Sequence, residues 1–180
     1  LNATLSNLAF NSEGYLTIKA VDNVGNVGAM SSSTAYAVTQ VRVVAGHDAE
    51  SLAGATPEAT WNIEQVVARN GIAFSDSPGG NYLDNAASAI TLDAFTVNSN
   101  QVTLAFANKH DLESGYDFAY VEMAVDGGAW LEIAKYSGTE DWSMKSFDLS
   151  SRLTEGTHSV QLRFRMTSDY SIVKDGWYVD

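Results

Sequence analysis

The stretch from Asp117 to Gly138, DFAYVEMAVDGGAWLEIAKYSG, decides the fold. Two runs rich in aromatic and aliphatic residues flank Asp126, Gly127 and Gly128. Asp-Gly and Gly-Gly steps supply the positive φ angles that a tight hairpin demands, so the stretch reads as two antiparallel strands. Downstream, THSVQLRFRMTSD (157–169) alternates strictly. Val160, Leu162, Phe164 and Met166 point one way and Gln161, Arg163 and Arg165 the other, the signature of a half-buried strand. The two arginines are either solvated or paired across the strands with Glu122 or Glu132. Upstream, SAITLDAFTV (88–97) and NQVTLAFANK (100–109) are two more strands, broken by the polar turn Asn98–Ser99–Asn100. YLTIKAVD (15–22) and AYAVTQVRVVA (35–45) add strand signals before them, and DGWYVD (175–180) is a last strand. The best helical signal is ATPEATWNIEQVVA (55–68), where Thr56 caps and Pro57 opens a short turn or helix, followed by a strand. The fold class is therefore all-β, an antiparallel β-sandwich with half-polar faces.

The 180 residues carry a net charge of −12, with 45% apolar and 18% charged residues, a folded composition. Such an acidic chain repels nucleic acid and anionic membrane, and no run of 18 apolar residues exists to span a bilayer. There is no Cys, which removes thiol catalysis, zinc–thiolate sites and disulfides. Residue 1 is Leu and no basic leader precedes the first strand, so the sequence reads as a piece of a longer polypeptide.

Asp111, Glu113 and Asp117 fall within seven residues. Paired carboxylates doing acid–base work are expected to face each other across a cleft lined with aromatics, whereas these sit on one connecting loop. Like charges packed together need a cation or must spread into water. Ca²⁺ accepts six to eight oxygens in loop geometry, although the spacing is not that of an EF-hand. Solvated loop, calcium site and catalytic site all stand at this point. His47, His110 and His158 lie far apart without ligand spacing and read as surface or loop residues. A zinc site at His110 is disfavoured by its hard-oxygen neighbours. SDSPGGNY (75–82) is a chain-reversing turn in which Asp76 caps its own backbone. Most aromatics are core or rim, with Trp130 and Trp142 the two expected to be more open. The segment MTSDYS to KDGW forms a long loop before the last strand, a place where sandwiches often bind ligands.

A boundary falls near residues 33–48, giving segments 1–40 and 41–180. The phrase KAVDNVGNVGAMS (19–31) resembles the end of a fibronectin type III repeat, with a turn at DNVGN. Four motifs after the boundary occur in order: FSDSPGGNYLDN (74–85), HDLESGYDFAYVEMAVDGGAWLEI (110–133), Trp142 before FDLS (147–150), and LRFRMTSDYSIVKDGWYVD (162–180). Together they resemble the MAM-like jelly-roll module of secreted bacterial peptidases, such as immune inhibitor A-type metallopeptidases and some subtilases. The resemblance implies a jelly roll with a structural calcium and a secreted or cell-surface location. It also implies a non-catalytic accessory role, with the catalytic domain of the parent protein as partner and a protein or glycan as further ligand. Peptidase signatures are missing, with neither H-E-x-x-H nor G-x-S-x-G present. Carried over from the resemblance, the metal positions are Glu50 and Asp180, which would pin the module's two ends, with Asp76, Glu113 and Asp117 as further candidates. A carbohydrate-binding module of a secreted enzyme is the alternative, since jelly rolls host both roles. An autonomous hydrolase has the least support.

Overall fold

The computed structural model describes residues 13–16, 19–21, 27–30, 34–37, 43–66 and 71–180. The chain falls into two compact units, Leu1–Val43 and Val44–Asp180. In the first, β1 (Glu13–Leu16) pairs antiparallel with β4 (Thr34–Ala37), and β2 (Lys19–Val21) pairs antiparallel with β3 (Val27–Met30). The turn read at 22–26 lies outside the described residues, as do 38–42 of the Val-rich run. Residues 43–48 that follow carry no strand.

The second unit is an antiparallel jelly-roll sandwich of the expected class. Its strands are β5 (Ala55–Pro57), β6 (Asn62–Val66), β7 (Gly71–Ser75), β8 (Ala87–Leu92), β9 (Phe95–Val97), β10 (Thr103–Asp111), β11 (Phe118–Val125), β12 (Leu131–Tyr136), β13 (Thr139–Asp148), β14 (His158–Thr167) and β15 (Gly176–Val179). One sheet has the order β13-β10-β15-β7-β6, and the other β12-β11-β14-β8-β5 with β9 also paired to β14. The hairpin β11–β12 turns where the sequence demands it. Asp126 and Gly127 take φ of 53° and 70°, and the Gly128 amide donates to the Val125 carbonyl at 2.9 Å. These are the angles of a type I′ turn.

The short turn expected near Pro57 is present at Glu58–Trp61, where the Trp61 amide donates to the Glu58 carbonyl at 3.1 Å, but residues 55–57 before it correct the reading. Pro57 ends an edge strand paired to β8, with Pro57 opposite Ile90, rather than opening a helix. An edge position tolerates the missing N–H. Residues 62–66 are the strand expected after it, and 67–70 lie outside the described residues. β7 and β13 were not anticipated, and both belong to the five-stranded sheet.

Alternation along β14 delivers Val160, Leu162, Phe164 and Met166 to the interior. β15 lies between β10 and β7, and all four of its residues are buried. The core is an aromatic chain: Trp177 meets Trp61 and Phe164 edge-on, with ring centroids 5.8 and 5.6 Å apart, and Phe164 meets Phe106 at 5.3 Å. The Trp177 Nε1 donates to Asn108 Oδ1 at 2.8 Å, which spares this buried indole an unmet donor. His110 continues this polar thread, its Nδ1 3.2 Å from Asn108 Nδ2 and its ring stacked on Tyr136. His110 is thus an interior residue, contrary to its reading as a surface or loop histidine. Strand alternation in β10 turns Phe106, Asn108 and His110 to the same side. Burial lowers its tendency to take a proton.

On the outer face of the other sheet, Glu122 of β11 is buried beneath two arginines of β14. Glu122 Oε2 accepts from Arg163 Nε at 2.6 Å and Arg165 Nε at 3.0 Å, and Oε1 accepts from Arg165 Nη2 at 3.0 Å. Each guanidinium lies over a ring, Arg163 over Trp130 and Arg165 over Tyr120. Of the two partners read from the sequence, Glu122 takes both arginines.

Candidate functional site

Asp111, Glu113 and Asp117 divide between two environments. Asp111 ends β10, accepts from Thr139 Oγ1 at 2.6 Å and pairs with Lys174 at 3.1 Å. Desolvation raises its carboxyl, but Thr139 and the lysines together outweigh it and hold it below the usual range. Glu113 and Asp117 flank the turn between β10 and β11, where the Asp117 amide donates to the Glu113 carbonyl at 3.1 Å. Their carboxylates meet that of Asp169, from the loop between β14 and β15. One oxygen from each lies within 4.8 Å of the others. Among the described residues, this is the one group of three or more metal-ligating side chains gathered so closely.

Sheet pairing brings Asp169 there. β11 pairs β14 with Phe118 opposite Thr167, so the residues just outside each strand end face one another. Asp117, fully buried, accepts the Asp169 amide on Oδ1 at 2.8 Å and the Tyr82 hydroxyl on Oδ2 at 2.5 Å. The Tyr82 oxygen in turn accepts the Glu113 amide at 3.1 Å. Burial, and then the hydrogen bond to Asp117, push the Tyr82 phenol well above its ordinary value, so it stays a donor. Desolvation, with the Asp169 and Asp117 charges adding to it, raises the Glu113 carboxyl. Glu113 Oε2 has no hydrogen-bond partner. Three hard, anionic oxygens that lack a basic partner among them fit a divalent oxophilic cation, with carbonyls or water completing its shell.

The other sequence-derived positions lie elsewhere. Asp76 is buried after β7, and its Oδ1 accepts the Trp177 amide at 2.6 Å and, more weakly, the Ser77 hydroxyl. Gly176, with φ of 101°, lies so close that a Cβ there would run into Asp76 Oδ1 and Ser77 Oγ. Asp76 therefore fastens the start of β15. Glu50 is exposed, and its Oε1 accepts the Ile72 amide of β7 at 3.3 Å. β7 pairs β15 with Phe74 opposite Val179, so Asp180 falls one step further along, opposite Ala73. Glu50 and Asp180 thus approach the same end of this sheet, apart from the three-carboxylate group. Asp169 was missed because nothing local marks it. Its signal was the loop before the last strand, read as a ligand-binding position without a residue singled out.

A second feature crosses the outer face of the five-stranded sheet. It is a cleft of about 370 Å³ lined by Glu64, Gln65, Val66, Lys109, Asp141, Trp142, Asp175 and Tyr178. The pairing of β10 with β13 slips here, with Asn108 opposite Ser143 but His110 opposite Glu140. Asp141 and Trp142 together therefore oppose Lys109, a bulge that turns Trp142 toward Tyr178, ring centroids 6.2 Å apart. Lys109 Nζ bonds Asp175 at 3.0 Å and lies over the Tyr178 ring. The Tyr178 hydroxyl donates to Asp175 Oδ1 at 3.0 Å.

Fold and geometry define an all-β sandwich module with an acidic group at its loops and an aromatic cleft on one sheet. No family model matches the chain. Over 104 residues, 56% of the chain, it is 32% identical to Bacillopeptidase F of Bacillus subtilis (strain 168), and it spans 7% of that protein. Among solved structures, a carbohydrate-binding module of the β-sandwich superfamily aligns over 94% of this chain and 72% of its own, with 13% identity and a TM-score of 0.49. CBM35 from Paenibacillus barcinonensis aligns over 74% and 96%, with 18% identity and a TM-score of 0.37. No helix among the described residues is long and apolar enough to cross a membrane.

Proposed function

We propose that the second unit is a non-catalytic accessory module of a secreted bacterial peptidase or surface protein, stabilised by calcium. The observation that carries this reading is the convergence of Glu113, Asp117 and Asp169 from two loops. An ion there ties the β10–β11 turn to the β14–β15 loop and stabilises only the folded state. Glu50 and Asp180 are the positions for a second ion at the far end of the sheet. The partial identity to Bacillopeptidase F supports the peptidase context, with the catalytic domain of the parent protein as the partner. The first unit is the tail of a fibronectin type III-like repeat in this reading.

Calorimetry of the EDTA-treated chain with and without added Ca²⁺ tests it. Saturation at about 100 times Kd adds ~2.7 kcal/mol, a rise of several degrees in Tm. Asp169→Asn, on the more open loop, abolishes the rise, and Asp117→Asn does the same if it folds. An unchanged Tm, with no metal found by elemental analysis, overturns the calcium role. A second reading, a carbohydrate-binding module, is favoured by the cleft that joins Trp142 and Tyr178 to carboxylates.

A further inference from the structure

The cleft's chemistry narrows what it takes, and the narrowing rests on that second reading. We propose that the outer face of the five-stranded sheet binds a saccharide bearing a protonated amine, with Trp142 as platform and Glu64, Asp141 and Asp175 as acceptors. The cleft is an open depression of about 370 Å³, room for a sugar unit lying across the sheet.

The argument begins with the bulge. Two residues of β13 oppose one of β10, and the extra residue lets Asp141 and Trp142 both reach the cleft. An aromatic ring beside carboxylates and an amide side chain, Gln65, offers a sugar both surfaces it needs. The ring receives its apolar C–H face, and the oxygens receive its hydroxyl protons. Glu64 holds one carboxylate oxygen in reserve: Oε1 takes the Gly79 amide at 3.1 Å, while Oε2 is buried without a hydrogen-bond partner and meets a ligand once the side chain turns outward.

Charge then selects among saccharides. Three carboxylates face one lysine; Lys109 and the Tyr178 hydroxyl already engage both oxygens of Asp175, so Glu64 and Asp141 carry the uncompensated charge. The cleft therefore carries an excess of negative charge, on a chain of net −12, and disfavours uronic or sulfated sugars. The three acids do not converge as Glu113, Asp117 and Asp169 do, so they make a poor cage for a small metal ion. Spread across the cleft beside a Trp, they suit an organic ammonium, which gains from the carboxylates and from the ring face together. A hexosamine unit without its N-acetyl group has that combination of hydroxyls, apolar face and ammonium.

The test titrates the full chain by isothermal calorimetry and by Trp fluorescence in mildly acidic buffer, with and without Ca²⁺. The probes are oligoglucosamine, its fully N-acetylated counterpart, a neutral cello-oligosaccharide, oligogalacturonate and oligolysine. Oligoglucosamine is expected to bind and the acetylated and acidic oligomers to bind at least about tenfold more weakly. Trp142→Ala should weaken binding about tenfold through the lost ring. Asp141→Asn, on an exposed side chain, should weaken it several-fold while leaving Tm and its calcium response unchanged. Equal or tighter binding of the neutral or acetylated sugar overturns the ammonium assignment and leaves the carbohydrate reading standing. Failure of every saccharide overturns both and leaves the calcium-dependent accessory reading intact. Preference for oligolysine over oligoglucosamine overturns the proposal in favour of a basic peptide.

Discussion

Replacing Glu122 with Gln removes the charge that holds Arg163 and Arg165 side by side. Glu122 is 7% exposed and accepts three hydrogen bonds from the two guanidiniums, at 2.6, 3.0 and 3.0 Å. A charge-assisted hydrogen bond is worth about 1.5–3 kcal/mol, and breaking a fully buried pair costs about 3–5 kcal/mol. The arginine side chains are 22% and 27% exposed, so water recovers part of their solvation and the loss falls below that range. Gln keeps one carbonyl acceptor, but it deprives two cations two residues apart on β14 of the carboxylate they share, with the Glu132 charge still acting on Arg165. The expected cost is about 2–3 kcal/mol. With ~2.1 cal/mol/K of unfolding entropy per residue over the sandwich, that is a fall in Tm of about 7–10 °C. The sign of the pH dependence follows. Burial alone would raise the Glu122 carboxyl, but Arg165 and Arg163 outweigh it and depress it. A depressed carboxyl contributes stability above its unfolded value and loses it as pH falls through the folded one. The gap between wild type and Glu122→Gln should therefore be full near neutrality and close in acid, below the ordinary Glu range. Urea melts of the full chain at several pH values measure it. A variant within about 0.5 kcal/mol of wild type at neutral pH would refute the brace.

Two other outcomes follow from the fastening of β15. Gly176→Ala combines a left-handed φ of 101° with a Cβ driven into Asp76 and Ser77. It should cost more than about 3 kcal/mol, read as a large fall in Tm, while Gly79→Ala, with open space around a left-handed φ of 75°, should cost only backbone strain of about 1–2 kcal/mol. Asp76 titrates in the opposite sense to Glu122. Desolvation raises its carboxyl from 3.8 to about 7, partly offset by the Trp177 amide and the Ser77 hydroxyl. The folded state then holds a proton that the unfolded chain releases near pH 4, so stability declines as pH rises from about 4 to about 7. An upper limit for that decline is about 4 kcal/mol. Relative to Asp76→Asn, which mimics the protonated form, wild type should lose ground across that window. A constant difference between the two melts would contradict the assignment.

The hairpin and β14 were legible because each carries its own instruction. Asp126–Gly127 can hardly do anything but turn, and a period of two over ten residues admits one face to the core. β13 carried no such instruction. As an edge strand with mixed exposure, its TEDWSMKSFD needs neither an apolar face nor a regular pattern. β7, GIAFS, is five residues long and too short for periodicity to speak. Pro57 misled because the residue that opens helices also ends edge strands, and the choice depends on β8, thirty-odd residues away in sequence. The same distance problem governs the acidic group. Glu113 and Asp117 stood out by density, whereas Asp169 joins them through the register of β11 with β14, which only the assembled sheet supplies. His110 looked like a loop residue for want of one fact, that β10 runs on to Asp111 and turns it inward. The arginine brace was readable because two charges on one polar face, opposite a Glu, leave few partners.

The outermost strand β13 has a consequence for how such a module lives beside others. Among the described residues it pairs with β10 alone, and it carries Asp141 and Asp148 exposed beside the ion-paired Glu140 and Lys145. A foreign strand seeking to extend the sheet would have to strip those charges of their water. Such a rim works against lateral stacking of one sandwich sheet on the next.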